Sequence, residues 1–298
     1  MISLMLVGCL MIDRLLICTD LDRTLIPNGP QTESAHARAC FSRLVARPEV
    51  TLAYVSGRHR ALVEQAITEY GLPIPDFVIG DVGTTIYHVG EQHDWQLQAH
   101  WEQQIAQDWN AQTWQDLSQF LDDLAALRLQ EDSRQNTHKL SYYVPLKIDS
   151  ALLTTQIDQR LQAHAINARL VWSVDEPAGV GLLDILPRRA SKFHAIESLM
   201  TDENFTLQNS IFCGDSGNDM QVLVSPLPAV LVANCQPEVR QQALKLAHEQ
   251  QTENQLYIAR GGFMQMNGNY SAGMLEGIAH YYPDCVAWMV DESEVESA

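Results

Sequence analysis

Positive charge is what this chain is short of. Its 298 residues carry 19 Lys and Arg against 37 Asp and Glu, a formal net charge of −18. A surface that acidic repels nucleic acid and anionic membrane, so neither is an expected partner. It also disfavours a phosphorylated small molecule unless local basic residues and a metal reverse the field at the site, so each Lys or Arg beside an acidic cluster is informative. Paired cysteine motifs are a second lack. The six cysteines, Cys9, Cys18, Cys40, Cys213, Cys235 and Cys285, include no CxxC pair. Cys18 and Cys213 lie in apolar runs, and reduced, buried thiols in a cytoplasmic protein are the expectation. No repeat, low-complexity stretch or membrane-spanning run is visible. Met1–Met11 is apolar but has no basic flank and no small-residue cleavage site, and it is too short to span a bilayer. Residues 1–10 read either as an extension from an upstream start codon or as a short ordered lead-in. The tail from Asp291, DESEVESA, is acidic and expected to fray.

What is present is an ordinary folded composition, 46% hydrophobic and 19% charged, at a length where chains divide into domains. Leu15-Leu16-Ile17-Cys18 is a continuous apolar run of the kind found in parallel strands buried on both faces. The spacing then predicts a helix over 33–46, a strand over 51–55, a helix over 59–70 stopped by Gly71, and a strand over 77–79. Strand, helix, strand, helix, strand is the order of a doubly wound sheet. Between 86 and 187 the pattern changes. Helices are predicted near 98–107, 113–127 and 149–164, with β segments near 84–89, 138–144, 168–174 and 181–186. The first pattern returns with a helix over 191–200, strands at 210–213 and 229–232, and helices over 237–248 and 272–281. The fold class is therefore α/β: a doubly wound, Rossmann-like core over 11–85 and 188–298, with an inserted α+β cap domain over 86–187.

Four polar clusters fall at ends of core elements, where ligands bind in open α/β sheets. Asp20-Leu21-Asp22-Arg23-Thr24 follows the first strand. One carboxylate can attack phosphorus, and the second can protonate a leaving oxygen and then activate water. The competing reading is an acidic turn that caps the next helix. Gly214-Asp215-Ser216-Gly217-Asn218-Asp219 is a glycine-rich turn whose carboxylates suit Mg²⁺, a cation that prefers oxygen ligands; its competing reading is a capped helix start. Ser56-Gly57-Arg58 can hold phosphoryl oxygens through a hydroxyl and backbone N–H groups, or be a common Ser-Gly turn. Lys192, at a predicted helix start, can neutralise phosphate, or be a solvated surface lysine.

Taken in order, TDLDRT at 19–24, VSGR at 55–58, Lys192 and GDSGND at 214–219 resemble the four signature motifs of the haloacid dehalogenase superfamily of phosphatases. The large insertion resembles the type-II cap of its sugar-phosphatase branch. Within that branch, VGTTIYH (82–88), HKLSYYV (138–144), LDILPRRASK (183–192), NCQPEV (234–239) and GNYSAGMLEGIAHY (268–281) are similar to sucrose-6-phosphate phosphatases. The resemblance implies Asp20 as nucleophile and Asp22 as general acid/base. It implies Ser56, Gly57, Lys192 and Asn218 as phosphate-binding, and Asp20, Asp215, Asp219 and the Asp22 main-chain carbonyl as the Mg²⁺ site. Lys139, His138, Arg58 and Asp184 are the candidate sugar contacts, with Asp184 alternatively pairing with Arg188. Tyr142, Tyr143 and Trp172 fit a sheet core better than a sugar site. Thr85 departs from the glutamate common at that place in relatives, which loosens the identity of the sugar. The implied partner is a small sugar phosphate: sucrose-6-phosphate first, then mannosylfructose phosphate, trehalose-6-phosphate or glucosylglycerate-type phosphates. A phosphomutase shares the same motifs. A non-catalytic sugar-binding partner of a sucrose-phosphate synthase has no need of both carboxylates at 20 and 22.

Overall fold

A computed structural model describes residues 13–90, 92–175 and 178–290. Met1–Met11 with Cys9, and the tail from Asp291, lie outside the described residues. In chain order the strands are β1 (Leu15–Thr19), β2 (Val50–Val55), β3 (Phe77–Gly80), β4 (Thr85–Val89), β5 (Trp95–Leu97), β6 (Arg128–Leu129), β7 (Leu140–Val144), β8 (Ala168–Asp175), β9 (Val180–Pro187), β10 (Ser210–Gly214), β11 (Ala229–Leu231) and β12 (Leu256–Ile258). The helices are α1 (Ala37–Val45), α2 (Arg60–Tyr70), α3 (Ala99–Ala106), α4 (Trp114–Gln119), α5 (Ser150–Ala163), α6 (Lys192–Asp202), α7 (Met220–Leu223), α8 (Pro237–Gln250), α9 (Ser271–Tyr281) and α10 (Val286–Met289). The chain forms two compact units, one of residues 1–54, 67–76 and 200–298, the other of 55–66 and 77–199.

In the first unit the strands lie in the order β12-β11-β10-β1-β2, all parallel. Every residue of β1, LLICT, is buried, which is why the run carries no polar alternation. Helix α9 packs against α1 and against β11 of this sheet, and Ser271–Ile278 of α9 is buried throughout. Gly277 lets α9 lie on β11: a Cβ there would meet Val230 Cγ2 at 2.2 Å. The thiols of Cys18 and Cys213 are enclosed, and burial pushes both pKa values far above that of a free cysteine. The five described cysteines are unbridged.

In the second unit β3, β4 and β5 form antiparallel pairs. A separate antiparallel sheet runs β6-β7-β9-β8. Its core gathers Trp109, Leu117, Leu140, Tyr142, Leu153 and Ile185 with their neighbours, so Tyr142 is a packing residue, and Trp172 packs at the edge of the same cluster. Tyr143 donates to Glu131 Oε2 at 2.8 Å.

Several elements differ from those the sequence predicts. The helix expected over 113–127 stops at Gln119. Beyond it the backbone closes i to i−3 bonds, Leu121 to Ser118, Leu124 to Leu121 and Leu127 to Leu124, so the apolar residues at helical spacing are buried by turns instead. The helix expected from 33 begins at Ala37. Strands β5, β6 and β12 are only 3, 2 and 3 residues long, too short to show a period. No helix among the described residues is long and apolar enough to cross a membrane.

Candidate active site

Strands β1 and β10 are parallel neighbours, with Thr19 opposite Cys213, so the residues that follow them emerge side by side. The Asp20 N–H donates to the Cys213 carbonyl at 2.9 Å and fixes this junction. Asp20, Asp215 and Asp219 are all buried, and each offers a ligand atom within 4.8 Å of the others. Three carboxylates that close repel one another strongly in a low-dielectric site, so the set demands cationic compensation. An all-oxygen donor set of this kind fits a hard divalent cation such as Mg²⁺.

The loop after β10 is shaped by its own side chains. Asp219 Oδ2 accepts from the Asp215 N–H, the Ser216 N–H and the Ser216 hydroxyl, each at 3.2 Å. Gly214 makes room for this fold-back, since a Cβ there would sit 2.7 Å from Asp219 Oδ2. Thr24 donates its hydroxyl to Asp215 Oδ1 at 3.4 Å. Asn218 is exposed and accepts from the Ser216 hydroxyl at 2.9 Å. Asp22 is half-buried, and its Oδ1 accepts from Asn28 Nδ2 at 2.7 Å. Arg23 places its Nε 3.6 Å from Asp215 Oδ2. Burial raises the Cys235 thiol pKa; nearby Arg240 opposes this and Asp215 adds to it.

The remaining candidates belong to the second unit. Ser56 is buried after β2, its N–H donating to the Ile79 carbonyl at 2.8 Å and its Oγ accepting the Arg58 N–H at 3.2 Å. Gly57 is exposed in this turn, and the Arg58 side chain turns toward the Leu62 carbonyl at 3.3 Å. Lys192 opens α6 and is buried. Ser191 before it caps the helix, its Oγ accepting the His194 N–H at 3.2 Å. A buried lysine at a helix N-terminus adds its charge to the N–H groups and dipole there, an arrangement suited to an anion. Asp184 accepts from the Ser141 hydroxyl at 2.5 Å. His138 stacks edge-on to Trp109 with ring centroids 5.9 Å apart, and burial lowers its pKa.

Lys139 is the candidate whose partner the sequence did not disclose. Its Nζ lies 3.3 Å from Asp81 Oδ1, and both side chains are enclosed, at 8% and 7% exposure. Asp81 sits in a left-handed turn with φ of 50°, next to Val82 at 60° and Gly83 at 93°. Asn136 ties this turn to the neighbouring hairpin by donating to Thr84 Oγ1 at 2.8 Å. Burial holds the nearby His59 below its ordinary pKa, with Asp81 opposing and Arg134 and Lys139 reinforcing that shift. A buried ion pair breaks at high cost when one member is removed. Lys139→Met is therefore expected to destabilise the protein by about 3–5 kcal/mol, with Asp81→Asn/Lys139→Met recovering most of that loss. A urea double-mutant cycle measures it, and a loss in the double variant equal to the sum of the two single losses would show that the pair is not coupled.

The parallel sheet and the carboxylate set at its strand ends define a phosphatase of the haloacid dehalogenase superfamily. The family model described as sucrose-6F-phosphate phosphohydrolase matches residues 13–282, and the chain belongs to that family. A putative haloacid dehalogenase-like hydrolase of Nitrosococcus oceani is 53% identical over 276 residues, 93% of this chain and 74% of that protein. The mannosylfructose-phosphate phosphatase of Agrobacterium fabrum is 28% identical, covering 89% of this chain and 96% of its own. Among solved structures, the sucrose-phosphatase of Synechocystis sp. PCC6803 in complex with sucrose and phosphate superposes with a TM-score of 0.67 at 26% identity, covering 90% of this chain and 98% of that one. The chain spans 60% of one plant sucrose-phosphatase it matches, from Arabidopsis thaliana, and 52% of another, from Nicotiana tabacum.

Proposed function

We propose that the protein is a Mg²⁺-dependent phosphatase of a sugar phosphate, sucrose-6-phosphate first among the candidates, working through an aspartyl-phosphate on Asp20. The observation that carries this reading is the buried trio Asp20, Asp215 and Asp219 within 4.8 Å of one another at adjacent strand ends. In the first step Asp20 attacks phosphorus, the bond from phosphorus to the sugar oxygen breaks, and Asp22 gives that oxygen its proton. In the second step Asp22 takes a proton from water, the water oxygen attacks phosphorus, and phosphate leaves with Asp20 restored. Asp20, Asp215, Asp219 and the Asp22 carbonyl would hold Mg²⁺, which when bound offsets charge on the transferring group. Lys192 and the N–H groups that open α6 bind the same oxygens, with Ser56, Gly57 and Asn218 assisting.

Residues 86–187 act as the cap in this reading, and the self-contained β6-β7-β9-β8 sheet with its own core supports that division. Lys139, His138 and Asp184 of the cap, with Arg58 of the core, are the proposed sugar contacts. Relatives named for sucrose phosphate and for mannosylfructose phosphate bracket the substrate class. The deciding experiment is phosphate release from sucrose-6-phosphate, mannosylfructose phosphate, trehalose-6-phosphate and glucosylglycerate-type phosphates, with Mg²⁺ and with EDTA. Sucrose-6-phosphate is expected to give the highest kcat/KM and EDTA to abolish turnover. Release of phosphate from none of them with Mg²⁺ present would overturn the proposal. A ³¹P NMR time course separates free phosphate from a phosphoryl group moved within the sugar.

A further inference from the structure

We infer that Arg23 is a built-in counter-cation of the carboxylate cluster, compensating Asp215 in the metal-free protein and thereby setting how tightly Mg²⁺ binds. The inference rests on the metal-site reading above and extends it to a residue that neither the phosphoryl chemistry nor the phosphate cradle uses.

The first support is scarcity. A chain with only 19 Lys and Arg places one of them 3.6 Å from a carboxylate that is 4% exposed. The second is how firmly that residue is set. Arg23 has a φ of 61°, a conformation that costs a residue bearing a Cβ but not glycine. Its N–H donates to Asn28 Oδ1 at 2.9 Å and to the Ile26 carbonyl at 3.1 Å, and its own carbonyl accepts from Asn234 Nδ2 at 2.7 Å. Asn234 is held in turn, its Oδ1 accepting the Tyr270 N–H at 2.7 Å. A glycine would satisfy this backbone with less strain. What arginine adds is the side chain, and that side chain faces the cluster.

The third support is the form of the contact. Arg23 Nε is buried without a hydrogen-bond partner, and 3.6 Å to Asp215 Oδ2 is beyond hydrogen-bond reach. The attraction through Nε is therefore Coulombic rather than a formed bond. The side chain is also 32% exposed, which gives the guanidinium a path toward solvent. A divalent cation on the same carboxylates repels the guanidinium, so each positive group weakens the hold of the other. The arrangement keeps an acidic cluster tolerable without metal, at the expense of metal affinity.

The test compares wild type, Arg23→Gln and Arg23→Lys as full-length proteins stripped with EDTA. Mg²⁺ binding is read by titration calorimetry and unfolding by scanning calorimetry, neither of which depends on turnover. Arg23→Gln is expected to bind Mg²⁺ roughly three- to tenfold more tightly than wild type and to melt at a lower temperature in EDTA. Arg23→Lys, which keeps the charge, is expected to stay near wild type on both measures. If Arg23→Gln does not fold, Arg23→Gly, which accepts the left-handed backbone, takes its place. Mg²⁺ affinity in Arg23→Gln equal to or weaker than wild type overturns the inference while leaving the metal site standing. Absence of Mg²⁺ binding to wild type overturns both.

Discussion

Asp20→Asn is expected to lower kcat by about 10⁴-fold or more while making the metal-free protein harder to unfold. The two effects share one cause. A carboxylate that attacks phosphorus must be charged and unblocked, and the amide is neither a competent nucleophile nor an equal metal ligand. The same charge is a burden when no divalent cation is present. Asp20 is 4% exposed, and its neighbours Asp215 and Asp219 crowd it within the 4.8 Å of the cluster. Removing one of three buried like charges relieves repulsion worth about 1 kcal/mol or more after allowance for screening by the surroundings, a rise of roughly 2–4 °C in melting temperature for a chain of this size. Phosphate release from the preferred sugar phosphate measures the first effect, and calorimetry in EDTA the second. Turnover within tenfold of wild type in a pure sample would remove Asp20 from the nucleophile role. A lower melting temperature in EDTA would mean that the cluster is already balanced by surrounding donors.

What the sequence disclosed follows from what a parallel sheet imposes. Leu15–Thr19 and Ser210–Gly214 are buried from end to end, so their apolar runs stand out and the polar residues that follow mark the strand ends. Asp20, Asp215 and Asp219 were legible for that reason, and the structure brings these three together. The missing parts share a different physics. The pairing of Lys139 with Asp81 joins residues 58 positions apart and has no periodic signature. Asn234 and Asn28 act through single amide groups that a sequence cannot distinguish from turn formers. The stretch GNYSAGMLEGIAHY resembled relatives, but the role of its second half is packing, with Gly277 admitting Val230 against α9. Arg23 stands beside an acidic cluster in the sequence, but nothing there assigns it a partner. Asp184 had two readings, and the structure gives it a third partner, the Ser141 hydroxyl, within the sheet. The helix expected over 113–127 shows the converse: a true burial pattern that tighter turns can satisfy as well as a helix.

Gly83→Ala tests the route by which the β3–β4 turn reaches Lys192, the lysine proposed to bind phosphate, and it is expected to cost about 3 kcal/mol or more and about 10²-fold in kcat. A Cβ on Gly83 would lie 2.5 Å from the Ser191 carbonyl carbon, 2.6 Å from its oxygen and 2.9 Å from the Lys192 nitrogen. All three are backbone atoms, so no side-chain rotation relieves the overlap. The turn itself has no slack: Asp81 and Val82 already sit at φ of 50° and 60°, and the Gly83 carbonyl is pinned by the buried Trp101 indole N–H at 3.0 Å. The strain must therefore move Ser191 and Lys192, the cap and first residue of α6. Gly71→Ala supplies the contrast. It has a similar left-handed φ of 61°, but a Cβ there meets nothing within 4 Å. It is expected to lose only about 1 kcal/mol and no activity. Urea unfolding and kcat on both variants separate the two effects. If Gly83→Ala matched Gly71→Ala in stability and wild type in turnover, the overlap would be relieved without moving Lys192, and the coupling of this turn to Lys192 would have to be given up.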